Sequence, residues 1–254
     1  LAAPRAPGPA VAAAAASVST LSGRVLLAED NPVNQEVARA MLGKLGLTVV
    51  LAGDGQAALA FIAAQPFDLV LMDCQMPVMD GYQATALLRQ HEARQGGHLP
   101  VVALTANAME GDQNQCLAAG MDDYLAKPYT RQQLEQVLRR WLPVGAPPTA
   151  EPVAPLEPVL ERAPAAIDRQ VLTQYRELDP SGASGLVARL MRIYLDSSRA
   201  LLGRAEAALA AGDAAALQHA AHPLKSSSAN VGALTLAELC RQLEALGKEA
   251  RLDE

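Results

Sequence analysis

The chain has 254 residues, a hydrophobic fraction of 50% and a formal net charge of −6 at pH 7. This length suits two domains of about 100–150 residues each. The acidic balance disfavours a surface wrapped on phosphate backbones, so we expect no nucleic acid partner. The three cysteines are far apart and fit neither a zinc site nor a disulfide framework, which indicates reduced thiols in a cytoplasmic protein.

The first segment, residues 1–22, is rich in alanine and proline. Its apolar part is alanine broken by proline and no Met precedes it, so we predict a linker left by truncation rather than a signal peptide. No apolar run approaches the roughly 18 residues that a membrane span requires. We therefore expect this chain to be soluble and to make no contact with a membrane.

Residues 23–142 alternate short apolar runs with amphipathic stretches. Five strand candidates, such as "RVLLAED" and "FDLVLMD", alternate with five helix candidates, such as "RQQLEQVLRRWL". Nearly continuous apolar strands between helical patterns indicate a parallel sheet covered on both faces. The prediction is a doubly wound, five-stranded α/β domain, in which ligands bind beyond the carboxyl ends of the strands.

Proline recurs every few positions in residues 143–166. Because proline fixes φ and lacks an N–H donor, this segment is predicted to be an extended, semi-rigid linker. Residues 167–254 then contain helix-length patterns and no convincing strand, which predicts an all-α four-helix bundle. Gly203 is a candidate break within the second helical pattern, and Gly212 and Gly232 fit helix ends.

Polar side chains end four of the five predicted strands, and the topology would bring them to one edge of the sheet. They are Glu29 and Asp30 after the first strand, Asp73 at the third, Thr105 at the fourth and Lys127 at the fifth. Clustered carboxylates repel one another unless a cation joins them, and their oxygens suit Mg²⁺. An ammonium and a hydroxyl group nearby are suited to the oxygens of a phosphoryl group.

This combination resembles the response-regulator receiver domain of two-component signalling, whose fold is flavodoxin-like. The likeness rests on Glu29-Asp30, on Asp73 within "LMDCQMPVMDG", on Thr105 within "ALTANA" and on Lys127 before proline. The resemblance implies that Asp73 accepts the phosphoryl group. It also implies that Mg²⁺ is held by Glu29, Asp30, Asp73 and the backbone carbonyl of Gln75.

Two further roles follow from the same resemblance. Thr105 and Lys127 would contact the phosphoryl oxygens, and Thr105 would act in the activation switch with Tyr124, an aromatic side chain that changes rotamer. A carboxylate is a competent nucleophile for forming an aspartyl phosphate, and a cation with an ammonium offsets the charge on the transferred group. Pro77 and Gly81 are predicted to shape the loop after Asp73 so that its backbone faces the ion.

A second candidate site lies in the stretch "LQHAAHPLKSSSANVGA". Leu217, Leu224 and Val231 recur at helical spacing and predict a buried stripe. His222 lies about 140° around the helix from Leu217, so we expect it on the exposed face with Lys225. Another domain could approach an imidazole in that position, and a phosphate on it would find a cation close by.

This region resembles a histidine phosphotransfer (HPt) domain, whose motif is His-x-Leu-Lys followed by small residues. Here the motif reads "HPLKSSSANVGA". The resemblance assigns phosphoacceptance to His222, with Lys225 assisting, and makes His219 a neighbour rather than the acceptor. The order of receiver, linker and HPt domain resembles the carboxyl-terminal part of a hybrid sensor histidine kinase.

That resemblance implies a phosphorelay in which phosphate passes from a kinase core to Asp73, then to or from His222, and on to a response regulator. The kinase core and the regulator are the expected partners, and an intramolecular contact between receiver and HPt domain is possible in such a design. The full-length protein is expected to be anchored in the inner membrane through a preceding part. The sequence has no glycine-rich nucleotide-binding pattern, so ATP hydrolysis by this chain is not predicted.

Two alternatives stay open at this level. One is an aspartyl-phosphate phosphatase, but Gln75 stands where a second acid would be expected. The other is a response regulator with a helical output domain that binds DNA or another partner. Residues 166–254 hold ten Lys and Arg against eleven Asp and Glu, a balance of −1 (10 − 11), without an evident basic recognition helix.

Overall fold

The computed structural model describes residues 21–105, 110–142 and 167–250. The predicted linkers therefore lie outside the described residues, except for residues 21 and 22 at the end of the first linker. Leu21 is buried, and its N–H donates to the carbonyl of Leu45 over 2.8 Å. The described part of the first domain thus already includes Leu21 in its packing, two residues before the predicted boundary.

The first domain is the predicted α/β fold. Its strands are β1 (Arg24–Ala28), β2 (Thr48–Ala52), β3 (Leu69–Asp73), β4 (Val101–Thr105) and β5 (Asp123–Ala126). They form one parallel sheet in the order β2-β1-β3-β4-β5. The alternating helices are α1 (Pro32–Lys44), α2 (Gly55–Ala64), α3 (Gly81–Gln95), α4 (Glu110–Ala118) and α5 (Arg131–Trp141). The fold class predicted from the sequence is confirmed.

Strands β3 and β4 are buried along their whole length, as near-continuous apolar strands require. One apolar cluster fills the sheet face that α1 and α5 cover, and a second fills the opposite face. The order in which strands are added to the sheet reverses between β1 and β3, and the crevice beyond their carboxyl ends is where sites form in such sheets. The fold thus presents the polar residues that follow β1 and β3 at a single edge.

The described part of the second domain is all-helical. It comprises α6 (Arg169–Leu178), α7 (Leu186–Ala211), α8 (Ala214–Asn230) and α9 (Leu234–Lys248). Gly203 does not break α7, contrary to the sequence prediction, because the long buried face of this helix outweighs a cost of about 1 kcal/mol for one glycine. Gly212 caps the helix in a left-handed conformation, as predicted.

The two domains pack against each other through α1, which contacts α6, α7 and α8. The apolar cluster under α1 continues into the helical domain, where Tyr175, Leu190 and Tyr194 belong to it. The contact therefore buries apolar side chains from both domains. No helix among the described residues is long and apolar enough to span a membrane.

Candidate functional site: a carboxylate cluster facing a helical histidine

The first part of the site lies beyond β1 and β3. The register aligns Ala28 with Met72, so the residues that follow these two positions are neighbours across the strands. As a result Glu29, Asp30 and Asp73 come together, with one carboxylate oxygen of each within 4.8 Å of the others. Sequence reasoning placed these three side chains at one edge, and the structure brings them together there.

Lys127 joins this cluster from the end of β5. Its Nζ lies 2.6 Å from Glu29 Oε2 and 2.6 Å from Asp73 Oδ2, and its side chain is only 9% exposed. Burial by itself lowers the pKa of Lys127, but the adjoining carboxylates outweigh it and raise that pKa above its usual value. The lysine is therefore a fixed cation directed at Asp73.

The carboxyl group of Asp73 is almost fully buried. Burial raises its pKa above the usual range and Glu29 adds to the rise, while the positive charge of Lys127 opposes both. Burial and the charge of Glu29 also raise the pKa of Asp30. Both carboxyl groups thus lie where an additional cation would stabilise their ionised forms.

The donor set fits a small hard cation. Mg²⁺ prefers oxygen ligands, and because it keeps several of its waters it needs only a few contacts with the protein. The cluster offers three carboxylate oxygens within 4.8 Å of one another. The single positive charge of Lys127 leaves a net negative charge on the group. The residues that the sequence singles out for metal binding are therefore compatible with Mg²⁺.

Three other predicted residues lie on the strands and the loop that carry the cluster. Thr105 is buried at the end of β4, and its partner in the register is Ala126, directly before Lys127. The backbone N–H of Gln75 donates to Asp73 Oδ1 over 3.3 Å. Tyr124 lies on β5 and packs against the apolar face opposite α1. The switch role of Thr105 and Tyr124 and the ligand role of Gln75 stay predictions.

Gly81 explains the shape of the loop after Asp73. A Cβ atom at this position would lie 2.1 Å from the backbone oxygen of Asp73, so no side chain fits. The N–H of Gly81 also donates to the carbonyl of Cys74 over 3.2 Å. The glycine therefore lets the start of α3 approach the strand end that carries Asp73, and Asp80 caps that helix.

The second part of the site is on α8. His222 Nδ1 lies 2.6 Å from Glu244 Oε1, and Lys225 Nζ pairs with Glu244 Oε2. Burial raises the pKa of Glu244, but His222 and Lys225 together lower it to about 2. Glu244 is consequently an ionised acceptor at neutral pH, and Nδ1 of His222 carries the proton. The other ring nitrogen, Nε2, is left with a lone pair.

Sequence reasoning missed Glu244 because it lies 22 residues from His222 on a different helix. A signal was present, since Glu244 follows the buried Cys240 by one helical turn and precedes the buried Gly247. A carboxylate on the inward face of a helix needs a partner. The sequence alone, however, does not show which basic side chain supplies it.

The two parts of the site face each other across the contact between the domains. Asn31 Nδ2 donates to the carbonyl of Pro223 over 2.7 Å, which joins the neighbour of Asp30 to the neighbour of His222. A cleft of about 770 Å³ lies between them, and its lining includes Asp30, Gln75, His219 and His222. If it were protonated, the His222 ring would be near enough to lower the pKa of Asp73. The exposed face predicted for His222 is thus directed at the first domain.

Further polar contacts hold the domains in this arrangement. Asn34 Nδ2 donates to Ser226 Oγ over 3.1 Å, and Asn230 Nδ2 donates to Asn34 Oδ1 over 2.8 Å. Arg189 Nε lies 2.6 Å from Glu36 Oε1. The sequence analysis missed these residues. The sequence predicts that these residues lie on helices, but it does not predict contacts between residues more than 150 positions apart.

Comparisons with known proteins assign two parts of the chain to two families. Residues 25–139 match the response regulator receiver domain family, and residues 189–254 match the Hpt domain family. Sensor histidine kinase GacS of Pseudomonas protegens is 37% identical over 246 residues, which are 94% of this chain and 26% of that protein. Signal transduction histidine-protein kinase BarA of Escherichia coli is 32% identical over 89% of this chain and 24% of that protein.

Solved structures resemble the first domain. The receiver domain of a Pseudomonas aeruginosa sensor histidine kinase, with magnesium coordinated in its active-site cleft, is 50% identical (TM-score 0.44) and covers 47% of this chain and 97% of that one. A chain in the co-crystal structure of the Saccharomyces cerevisiae histidine phosphotransfer protein Ypd1 with the receiver domain of its downstream response regulator is 31% identical (TM-score 0.47), and the match covers 48% of this chain and 90% of that one. The present chain spans about a quarter of the length of GacS and BarA.

Proposed function

The chain is a receiver domain followed by an Hpt domain, as in the hybrid sensor histidine kinases that match it over about 90% of its length, and we propose that Asp73 and His222 are its two phosphoacceptors. These domains make it a component of a phosphorelay. The Hpt assignment also replaces the alternative of a DNA-binding output domain. The proposal concerns which atoms carry the phosphoryl group and how they exchange it.

One observation carries the proposal. The carboxylate cluster around Asp73 and the imidazole of His222 lie on either side of one cleft. The hydrogen bond from Asn31 to the carbonyl of Pro223 joins the two sides of this cleft. Transfer between two acceptors requires that both reach the same phosphorus atom. A cleft lined by Asp30 and Gln75 on one side and by His222 on the other supports transfer within the chain.

The transfer step follows from the protonation of His222. While the Nδ1–H group of His222 donates a hydrogen bond to Glu244, the lone pair of Nε2 attacks the phosphorus of phospho-Asp73. A phosphorus–nitrogen bond forms while the bond from phosphorus to the Asp73 oxygen breaks, and the electron pair stays on the Asp73 carboxylate. Glu244 stabilises the imidazolium charge that develops, and Lys127 stabilises the returning carboxylate. The reverse step regenerates phospho-Asp73.

Mg²⁺ would be held by Glu29, Asp30 and Asp73, with the carbonyl of Gln75 as a fourth protein ligand, and it would supply charge neutralisation for the phosphoryl oxygens. Lys127 complements this role from β5, and Thr105 lies beside it in the sheet. Lys225 pairs with Glu244 next to His222, where its charge is close to a phosphoryl group on the imidazole. The chain's own residues thus provide a cation close to each proposed phosphoacceptor.

The relay partners are part of the same proposal. A histidine kinase core would phosphorylate Asp73, and a separate response regulator would take the phosphoryl group from His222. The three cysteines are buried, and the sulfur atoms of Cys74 and Cys116 lie 3.7 Å apart, which is longer than a disulfide bond and is compatible with the cytoplasm as the proposed compartment. Because α1 is occupied by the Hpt helices here, an external partner that uses the same face must displace them.

The test is phosphoryl uptake from a radiolabelled acyl phosphate with Mg²⁺ by the wild type, Asp73→Asn and His222→Gln. We expect the wild type to hold acid-labile phosphohistidine as well as acyl phosphate. His222→Gln should hold only acyl phosphate, and Asp73→Asn should hold no label. Acid-labile label in Asp73→Asn would contradict the order of transfer, and absence of phosphohistidine in the wild type would contradict transfer within the chain.

A further inference from the structure

Asn34, on the first turn of α1, connects the Hpt helix to the carboxylate cluster. On the receiver side, Asn34 Nδ2 donates to Glu29 Oε1 over 2.8 Å. On the Hpt side, the same amide nitrogen donates to Ser226 Oγ and the amide oxygen accepts from Asn230 Nδ2. Both donors and the acceptor of this side chain are therefore used, and the residue is 4% exposed.

These partners fix the orientation of the Asn34 amide. A rotation of 180° would place its oxygen against the Glu29 carboxylate, which only accepts hydrogen bonds when ionised. The same rotation would place its nitrogen against the amino group of Asn230, which only donates. The Hpt side therefore helps to select the orientation in which Asn34 supports Glu29.

Glu29 passes this orientation on to the cluster. Its Oε1 accepts from Asn34, its Oε2 accepts from Lys127, and Lys127 also binds Asp73. A continuous chain of hydrogen bonds thus runs from Asn230 on the Hpt domain through Asn34, Glu29 and Lys127 to Asp73. Each link is 2.8 Å or shorter.

We propose that Asn34 is a positioning residue that couples docking of the Hpt domain to the orientation of Glu29, and so to Mg²⁺ binding by the receiver. This inference rests on the proposed metal site and deepens it. Thermodynamic linkage requires that the coupling be reciprocal, so Mg²⁺ should also strengthen the docking of the Hpt domain. The receiver would then be best prepared for transfer when its acceptor is in place.

The experiment is a double-mutant cycle on the full chain, with MgCl₂ titrated by calorimetry. Asn230→Ala removes the Hpt donor without touching a proposed ligand, and we expect it to weaken Mg²⁺ binding by about 3- to 10-fold. In the Asn34→Leu background, Asn230→Ala should have less than about a twofold effect, because the connection is already broken. Arg189→Ala is the matched control, since it removes a contact to Glu36 that does not lead to the cluster.

A second readout needs no metal. In the metal-free wild type, the two side-chain amide protons of Asn34 should give separate NMR signals that exchange slowly with solvent, since both are hydrogen-bonded. Asn230→Ala should accelerate that exchange and Arg189→Ala should not. Equal Mg²⁺ affinities in the wild type and Asn230→Ala, or the same loss in both Asn34 backgrounds, would overturn the inference. Phosphoryl transfer by the wild type would still stand, so the two proposals fail separately.

Discussion

The two phosphoacceptor sites are built from similar charges in opposite proportions. Around Asp73, three carboxylates cluster and two of them pair with one lysine, whereas around His222 a histidine and a lysine share one carboxylate, Glu244. The first group is fixed by the ends of parallel strands, and its Glu29 and Asp73 are buried. The second is held by two helices, and the side chains of His222 and Glu244 are each 15% exposed.

This difference shows which contacts determine the geometry of each site. The receiver has a preassembled cluster whose geometry depends on backbone register and on a close approach at Gly81. The Hpt domain needs only one oriented imidazole, and one salt-bridged side chain, Glu244, is enough to orient it. Substitutions should therefore be more costly at the strand ends than on the helix, and three comparisons test this expectation.

The largest effect is expected from the two lysines. Lys127→Met leaves Glu29 and Asp73 buried without their shared cation, which should lower the free energy of unfolding by about 3–5 kcal/mol. Lys225→Met leaves Glu244 paired with His222 in a more exposed position and should cost about 1 kcal/mol. Urea unfolding of both variants measures the difference.

The Lys127 comparison has an internal check. Added Mg²⁺ should recover part of the stability that Lys127→Met loses, since the proposed ion supplies positive charge to the same carboxylates. The stability difference between Lys225→Met and the wild type should not change when Mg²⁺ is added. Equal losses in the two lysine variants would show that the strand-end cluster is no more demanding than the helical site.

The second comparison concerns two glycines. Gly81→Ala places a methyl group against the Asp73 carbonyl, and we expect it to cost about 1–3 kcal/mol and to reduce phosphoryl uptake at Asp73. Gly203→Ala, on the open face of α7, has no atom within 4 Å of the new Cβ and should stabilise the chain by about 0.5–1 kcal/mol. Thermal unfolding measures whether each substitution stabilises or destabilises the chain. An unchanged stability of Gly81→Ala would contradict the close approach.

The sequence predicts the receiver site better than the Hpt site for a physical reason. Strand ends in a parallel sheet must meet at one edge, so Glu29, Asp73 and Lys127 can be placed together once the strands are recognised. Helix neighbours have no such rule. The pairing of His222 with Glu244 depends on how α8 and α9 cross, and no local pattern specifies that crossing.

Two other features show the same limit. Gly203 has low helix propensity, but burial along α7 decides its conformation, so the local signal misled. The docking of α1 on α8 depends on interdomain contacts such as the one from Asn34 to Ser226, whereas the proline-rich segment indicates only stiffness. Composition can describe a linker, but the contacts at its two ends determine the geometry.

The smallest of the three effects is expected at Glu244, and its pH dependence identifies its cause. Burial opposes ionisation of Glu244, but His222 and Lys225 together hold its pKa at about 2, below the ordinary 4.5. A carboxyl group with a lowered folded-state pKa stabilises the fold above its unfolded pKa and loses that contribution as the pH falls through the folded value. Glu244→Gln should therefore cost about 1–2 kcal/mol at neutral pH.

That deficit should shrink as the pH falls from about 4.5 toward 2, because the wild type loses the same interaction by protonation. Urea unfolding from neutral pH down to about pH 3 measures it. Glu238→Gln is the matched control on the same helix: Arg241 lowers the pKa of Glu238 to about 2 as well, but this pair is half exposed, so solvent screening should leave Glu238→Gln with little deficit at any pH. A deficit independent of pH would assign the loss to packing. A deficit that shrinks on acidification only in Glu244→Gln would assign it to the ionised pair that orients His222.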